Sequence, residues 1–196
     1  MVELKNGIQT FHAKSRQTWR KWLQKNHQSQ SCVWLILYAK GSTMKSVYYS
    51  EAVEEALCFG WIDSKANKRD DESYYQFFAK RNPKSNWSKI NKIRVEKLIN
   101  EKQMAKAGLD SIKTAQENGT WTALDEVENI IIPADLQRAF RNSKMSMKNF
   151  EAFPRSSKKI ILEWILNARK PETREKRIEE TVKLAAKNIR ANHYSK

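Results

Sequence analysis

A chain of 196 residues with a formal charge of +15 and only two cysteines fits one compact domain, or a domain carrying a helical appendage. It is long enough to bury roughly 70% of its unfolded surface without help from a metal or disulfide. Cys32 and Cys58 are too few for a disulfide framework or a zinc site, and the longest apolar runs, at 32–39 and 129–133, are too short to cross a bilayer.

Residues 12–29 place Trp19, Trp22 and Leu23 at i, i+3, i+4 among basic residues, which predicts an amphipathic helix packing by its tryptophan edge. The run CVWLILYA at 32–39 is short, apolar and bounded by Ser31 and Lys40-Gly41, as a strand buried on both faces would be. Ser50 is the expected cap of a helix with Glu51 and Glu54 in its first turn and Gly60 just past its end. Residues 61–68 and 74–81 read as two strands joined around Asp70-Asp71-Glu72. Alternation then sets Tyr75, Phe77 and Ala79 on one face and Tyr74, Gln76 and Phe78 on the other. Asn82-Pro83-Lys84-Ser85 breaks the second strand. Ser85 is expected to cap a helix running to about Met104, along which Trp87, Asn91, Arg94 and Leu98 share a face.

A short helix near 110–118 ends at Asn118-Gly119, and three further helices are expected: 135–140, 143–153, and one capped by Ser156 or Ser157. Pro171 sits at the first turn of a last helix with Ile178, Val182, Ala185 and Ile189 as its buried stripe. The fold class expected is α+β, a small antiparallel sheet of about three strands packed with helices and followed by a C-terminal helical bundle. The domain reading is a helix-plus-sheet half at 1–105, a structured connector at 106–133 and a helical half at 134–196 packed on the first as one compact unit.

The excess positive charge falls around the hairpin and in the last helices, whereas 111–152 is slightly acidic. Basic surfaces attract nucleic acid, anionic lipid heads or acidic ligands, although a solubilising lysine face has the same composition. The first residues hold no basic stretch followed by an apolar run, so no signal peptide is read there and a cytoplasmic, reducing setting is expected without membrane insertion.

Glycine-rich phosphate loops, a nucleophile elbow and zinc-protease motifs are absent from the sequence, so neither an enzyme activity nor a cofactor is assigned. His12, His27 and His193 lie outside the central stretch 49–94 and make a poor triad or metal set. Asp63, Asp70, Asp71 and Glu72 would bind a cation only if several carboxylates converged; a solvated turn is the plainer reading. Cys58, at a helix C-terminus, reads as a packing residue and not a nucleophile. Asp63 follows Trp61-Ile62 and needs a partner if buried, with Arg81 and Arg94 as candidates; such a pair serves the fold or a ligand equally well. The ligand-lining set is Trp61, Asp63, Tyr75, Phe77, Arg81, Trp87, Asn91 and Arg94. The same aromatic and basic hairpin is also the kind of platform on which single-stranded nucleic acid stacks.

EALCFGWID at 55–63, YYQFFAKRNPKSNWSKINKIRVEKL at 74–98 and FEAFPRSSKKIILEWILNARKPETREKRI at 150–178 together resemble the bacterial YdeI/OmpD-associated, or bacteriocin-protection, family. Ser64 stands where that pattern has Gly, and AKRN where it has a Pro-Arg-Arg-like run. The resemblance implies an accessory or stress-related role in protection against bacteriocins or antimicrobial peptides, with a porin association in the family label. KPETREKRI is also similar to the tail of YdhG-type, frataxin-like proteins, which implies an iron-handling alternative. A +15 surface repels cationic peptides, so direct capture of them is not expected.

Overall fold

The structure, a computed structural model, describes residues 3–192 and divides between Thr122 and Ala123 into two compact units.

The first unit begins with β1 (Leu4–Lys5) and β2 (Ile8–His12), an antiparallel pair joined at Asn6-Gly7. Both turn residues have positive φ, +51° and +74°, the left-handed pair that a tight hairpin turn of this twist requires. Helix α1 (Arg16–Asn26) follows, with the Ser15 hydroxyl accepting from the Thr18 N–H, and leads into β3 (Cys32–Tyr38). Because a helix intervenes, β3 lies parallel to β2. Helix α2 (Tyr49–Cys58) is entered through the Glu51 carboxylate, which accepts the Tyr48 N–H, so Ser50 is not its cap. Gly60, at φ +71°, turns the chain out of α2 into β4 (Trp61–Lys68). Asp70 shapes the next turn by accepting from the Glu72 N–H and the Ser73 hydroxyl, and β5 (Ser73–Lys80) returns antiparallel.

The sheet therefore has five strands in the order β1-β2-β3-β5-β4 and is mixed, where about three antiparallel strands were expected. Two strands escaped notice because β1 and β2 are short and of mixed composition. Helix α3 (Lys89–Asn100) starts after Ser88, whose hydroxyl accepts from the Asn91 N–H, three residues beyond the expected Ser85. Helix α4 (Lys106–Glu117) completes the unit.

Val33, Leu35 and Leu37 face the core with Phe78, and Trp19, Leu23, Val53, Ala56 and Leu57 cover them from the helices. At about 25 cal/mol per Å² of apolar surface, such side chains carry most of the unit's stability. The Trp19 indole N–H is satisfied by the Ala52 carbonyl at 3.0 Å. On α2, Glu55 is 2% exposed and is met at 2.6 Å by both Arg16 and Arg20.

The second unit is helical throughout its described residues: α5 (Asp125–Glu128), α6 (Ala134–Arg141), α7 (Lys144–Ala152), α8 (Arg155–Leu166) and α9 (Pro171–Ala186). Its core joins Leu136, Phe140, Phe150, Phe153, Ile161, Ile165, Ile178 and Ala185. Pro154 occupies the cap position of α8, and Ser157 is buried inside that helix instead of capping it. Ile189 lies beyond α9 and is 49% exposed; Ile178 and Ala185 are buried as expected, Val182 packs half-buried against the same core, and Thr181 joins them. Arginines close several helix ends here: Arg174 donates to the Ile165 carbonyl at 3.3 Å, Arg177 to the Trp164 carbonyl and Arg155 to the Glu128 carbonyl. Among the described residues no helix is long and apolar enough to cross a membrane.

Candidate functional site

Two glycines bring α4 against the end of α2. A Cβ on Gly108 would strike the Cys58 carbonyl oxygen and lie 2.7 Å from that of Leu57; one on Gly60 would lie 2.9 Å from the Ala107 carbonyl oxygen. This close approach sets one wall of a cavity of about 400 Å³, made by Ala107, Asp110, Ser111 and Thr114 of α4. The opposite wall comes from His27, Gln28, Phe59, Trp61, Lys80 and Arg81.

Arg81 is the unusual group. Its backbone N–H donates to Gly60 at 2.9 Å, which fixes the chain as it leaves β5. Its guanidinium stacks 3.9 Å over Trp87, itself packed 5.0 Å from Trp121, and one Nη donates to the Asn86 carbonyl at 2.5 Å. The buried Nε–H has no acceptor among the described residues. No described carboxylate pairs with Arg81, and Asp110 across the cavity is bound to Lys106 at 2.6 Å. Burial pushes the guanidinium down to about 10, still charged at neutral pH. Trp87 offers the face of its ring, which attracts a cation without neutralising it. A buried charge is normally paired with an opposite one, so a positive centre lies ready in a concave site.

The surrounding groups are polar and mostly anchored. Lys80 Nζ donates to the Gln28 carbonyl at 2.7 Å, and the Trp61 indole N–H to the His27 carbonyl at 3.3 Å. His27 Nδ1 lies 2.9 Å from the Leu23 carbonyl, an acceptor that assigns the proton to Nδ1. Cys58 is pushed up to about 11 by burial and by the charge of Glu55, so it stays a thiol near neutral pH.

Of the eight residues read from the sequence, Trp61, Arg81 and Trp87 meet at this end of the sheet. Asn91 and Arg94 lie on α3 and bond to each other at 3.0 Å. Tyr75 and Phe77 stand on the opposite face of the sheet, against Trp34. Among the described ion pairs Asp63 joins neither Arg81 nor Arg94; its Oδ2 accepts the Tyr49 hydroxyl at 2.6 Å. That tyrosine is pushed up to about 12 by burial and by the carboxylate. Asp70, Asp71 and Glu72 are engaged by Ser73, Lys68 and Ser42. His12 Nε2 lies 2.9 Å from the Lys45 carbonyl, and His193 falls outside the described residues.

Sequence reasoning missed the α4 wall, because nothing in Ser111 or Thr114 marks them apart from a solvated helix face. A signal did exist in Gly108: a glycine inside a helical pattern costs about 1 kcal/mol against alanine, which asks for a packing reason.

Comparison with protein families divides the chain much as the fold does. Residues 129–188 match the model described as Bacteriocin-protection, YdeI or OmpD-Associated, which supports the resemblance for the third of the three motif stretches. The frataxin-like similarity finds no support, and the KPETREKRI segment belongs to the match just given. Neither the curated proteins nor the solved structures return a match. The first two motif stretches fall within residues 11–111, which match the domain of unknown function DUF8412 over more than half of the chain, and the chain belongs to that family.

Proposed function

We propose that this is an accessory protein that binds a small acidic molecule, bearing a carboxylate or phosphate, in the cavity beside Arg81. The observation that carries the reading is a half-buried guanidinium, its Nε–H buried, with no carboxylate partner among the described residues on the wall of a 400 Å³ cavity. An oxyanion there would supply the missing counter-charge and take up N–H donors whose fork geometry suits planar or tetrahedral oxygens. Lys80 adds a second cation, and the Ser111 and Thr114 hydroxyls add donors on the facing wall. Such a protein fits a reducing, cytoplasmic setting, in keeping with two free cysteines among the described residues. The match at 129–188 links it to protection against bacteriocins through its family description alone, and the +15 charge favours an indirect role over capture of cationic peptides. A porin association rests on the same description.

Thermal unfolding in the presence of inorganic phosphate, succinate and acetate tests this directly. A ligand that binds only the folded state raises the melting temperature with concentration, and at 100 times its Kd it adds about 2.7 kcal/mol. Arg81→Met is expected to abolish the shift while keeping the stacking volume over Trp87. No shift with any anion, or an equal shift in Arg81→Met, overturns the reading.

A further inference from the structure

The sheet has a second face that the cavity does not use. Its register sets Trp34 of β3 opposite Phe77 of β5, and Ile36 opposite Tyr75, all pointing away from the core that holds Leu35 and Phe78. The rings form an edge-on array, with Trp34 at 4.9 Å from Phe77 and 6.1 Å from Tyr75. Phe77 and Tyr75 are partly exposed. Cations cover the array: Lys5 Nζ stands 5.3 Å over Trp34 and 4.1 Å over Tyr75, Lys65 Nζ stands 5.5 Å over Trp34 and 5.6 Å over Phe77, and Arg69 lies 5.9 Å from Tyr75. Two carboxylates meet Arg69 here, Glu3 at 3.2 Å and Asp70 at 2.9 Å, and Glu3 also accepts the Tyr75 hydroxyl, so Lys5 and Lys65 are the cations that stand over the rings.

Trp34 supplies the second observation. It is 1% exposed, and its Nε1–H has no acceptor among the described residues. Buried indole N–H groups ordinarily find a partner. This one lies beneath two lysine side chains that have only donors at their tips, so neither can supply the acceptor.

We propose that this face binds single-stranded nucleic acid, with bases stacked on Phe77, Tyr75 and Trp34 and phosphates held by Lys5 and Lys65. Lysines drawn outward to phosphates uncover the Trp34 ring, and a base carbonyl or ring nitrogen then accepts from Nε1. Aromatic side chains on adjacent central strands stack on bases only when these are unpaired, so a duplex offers them nothing but backbone. An acidic protein or a lipid surface would use the lysines and leave the ring array and the indole N–H without a role. The proposal is independent of the Arg81 cavity, to which none of these residues contributes.

Anisotropy of fluorescein-labelled twelve-nucleotide oligo-dT, oligo-rU and a duplex of equal length, at about 50 and 200 mM salt, is the test. The expected result is binding of the single strands over the duplex, falling steeply with salt. Phe77→Ala is expected to weaken it roughly tenfold, a single base–aromatic stack. A Lys5→Gln/Lys65→Gln double variant, confined to the outer face, is expected to lower the salt slope by about 1.4 on single strands. Trp34→Phe keeps the ring and removes the N–H, and is expected to weaken binding by severalfold. Arg81→Met is expected to lose the anion response of the cavity while nucleic-acid binding stays as in the parent chain. Absent binding at the lower salt, equal affinity for duplex and single strand, or binding unmoved by the double lysine variant each overturns the proposal, as does loss of binding in Arg81→Met.

Discussion

The two units handle charge in opposite ways. In the first, charged groups are taken inside: Glu55 is 2% exposed between two arginines, and half-buried Arg81 pairs with no acid among the described residues. In the second, charge stays at the rim, where Arg174 holds Asp135 with side chains 29% and 33% exposed and other arginines close helix ends. A buried charge costs stability unless it is compensated, whereas a rim charge costs little and contributes little. The difference teaches where to look for function: the first unit retains a charge that its own fold does not neutralise.

The sharpest break of this comparison is Glu55→Ala. Removing the acid leaves Arg16 and Arg20 without their shared partner; both are raised although desolvation is the largest single effect on each, because the hydrogen bonds and charge of Glu55 and its neighbours together exceed it. Loss of one member of a buried pair costs about 3–5 kcal/mol, reduced here towards the lower figure because both arginines are partly solvated. Urea unfolding would register the loss as a fall in midpoint. A cost below about 1 kcal/mol would mean that the first unit treats its charges no differently from the second.

Gly108→Ala comes next, and its sign is what matters. Helix propensity alone predicts a gain of about 1 kcal/mol for alanine inside α4. The packing predicts the reverse, since the new methyl would meet the Cys58 and Leu57 carbonyl oxygens, which are backbone and cannot swing away. A loss of about 1–3 kcal/mol is expected from overpacking, together with a changed response to anions at the cavity that α4 walls. A melting temperature above that of the parent chain would show that α4 has room to move off α2.

These residues also mark what could be read in the sequence. Most helices and the β3, β4 and β5 strands were legible because apolar periodicity and turn residues agree there, as at Trp19 and Leu23 or at Asp70-Asp71, whereas α5 hid in an acidic run and α4 starts before the expected 110. The Asn6-Gly7 hairpin carried a strong local signal, but two residues of β1 are too few to show alternation. Arg81 and Trp87 could be marked as candidates from the aromatic-basic mixture, whereas the stacking of one on the other could not. Glu55 was not singled out, because a glutamate on a helix reads as exposed until two arginines nearly forty residues earlier close over it. Asp63 illustrates the opposite error: its spacing invited an arginine, and the fold supplied Tyr49 instead. Long-range partners are set by the packing of elements, which a single sequence does not state.

The smallest effect belongs to the second unit and has a defined pH dependence. Asp135 is held below the usual carboxylate range by its two hydrogen bonds from Arg174, at 2.6 and 3.1 Å, and by the Leu136 N–H, against a modest opposing effect of burial. A depressed folded-state pKa means that the unfolded chain binds this proton more readily than the folded one. The contribution is therefore complete above the unfolded value near 4, and it disappears as pH falls through the lower folded value. Solvent screening limits it to about 0.5–1 kcal/mol, and salt reduces it further. Asp135→Asn removes it near neutral pH, and the difference in melting temperature between variant and parent is expected to shrink as pH is lowered from about 6 to 3. A difference that stays constant over that range would assign the effect to the asparagine's altered packing at the start of α6, and the rim of the second unit would then owe nothing measurable to charge.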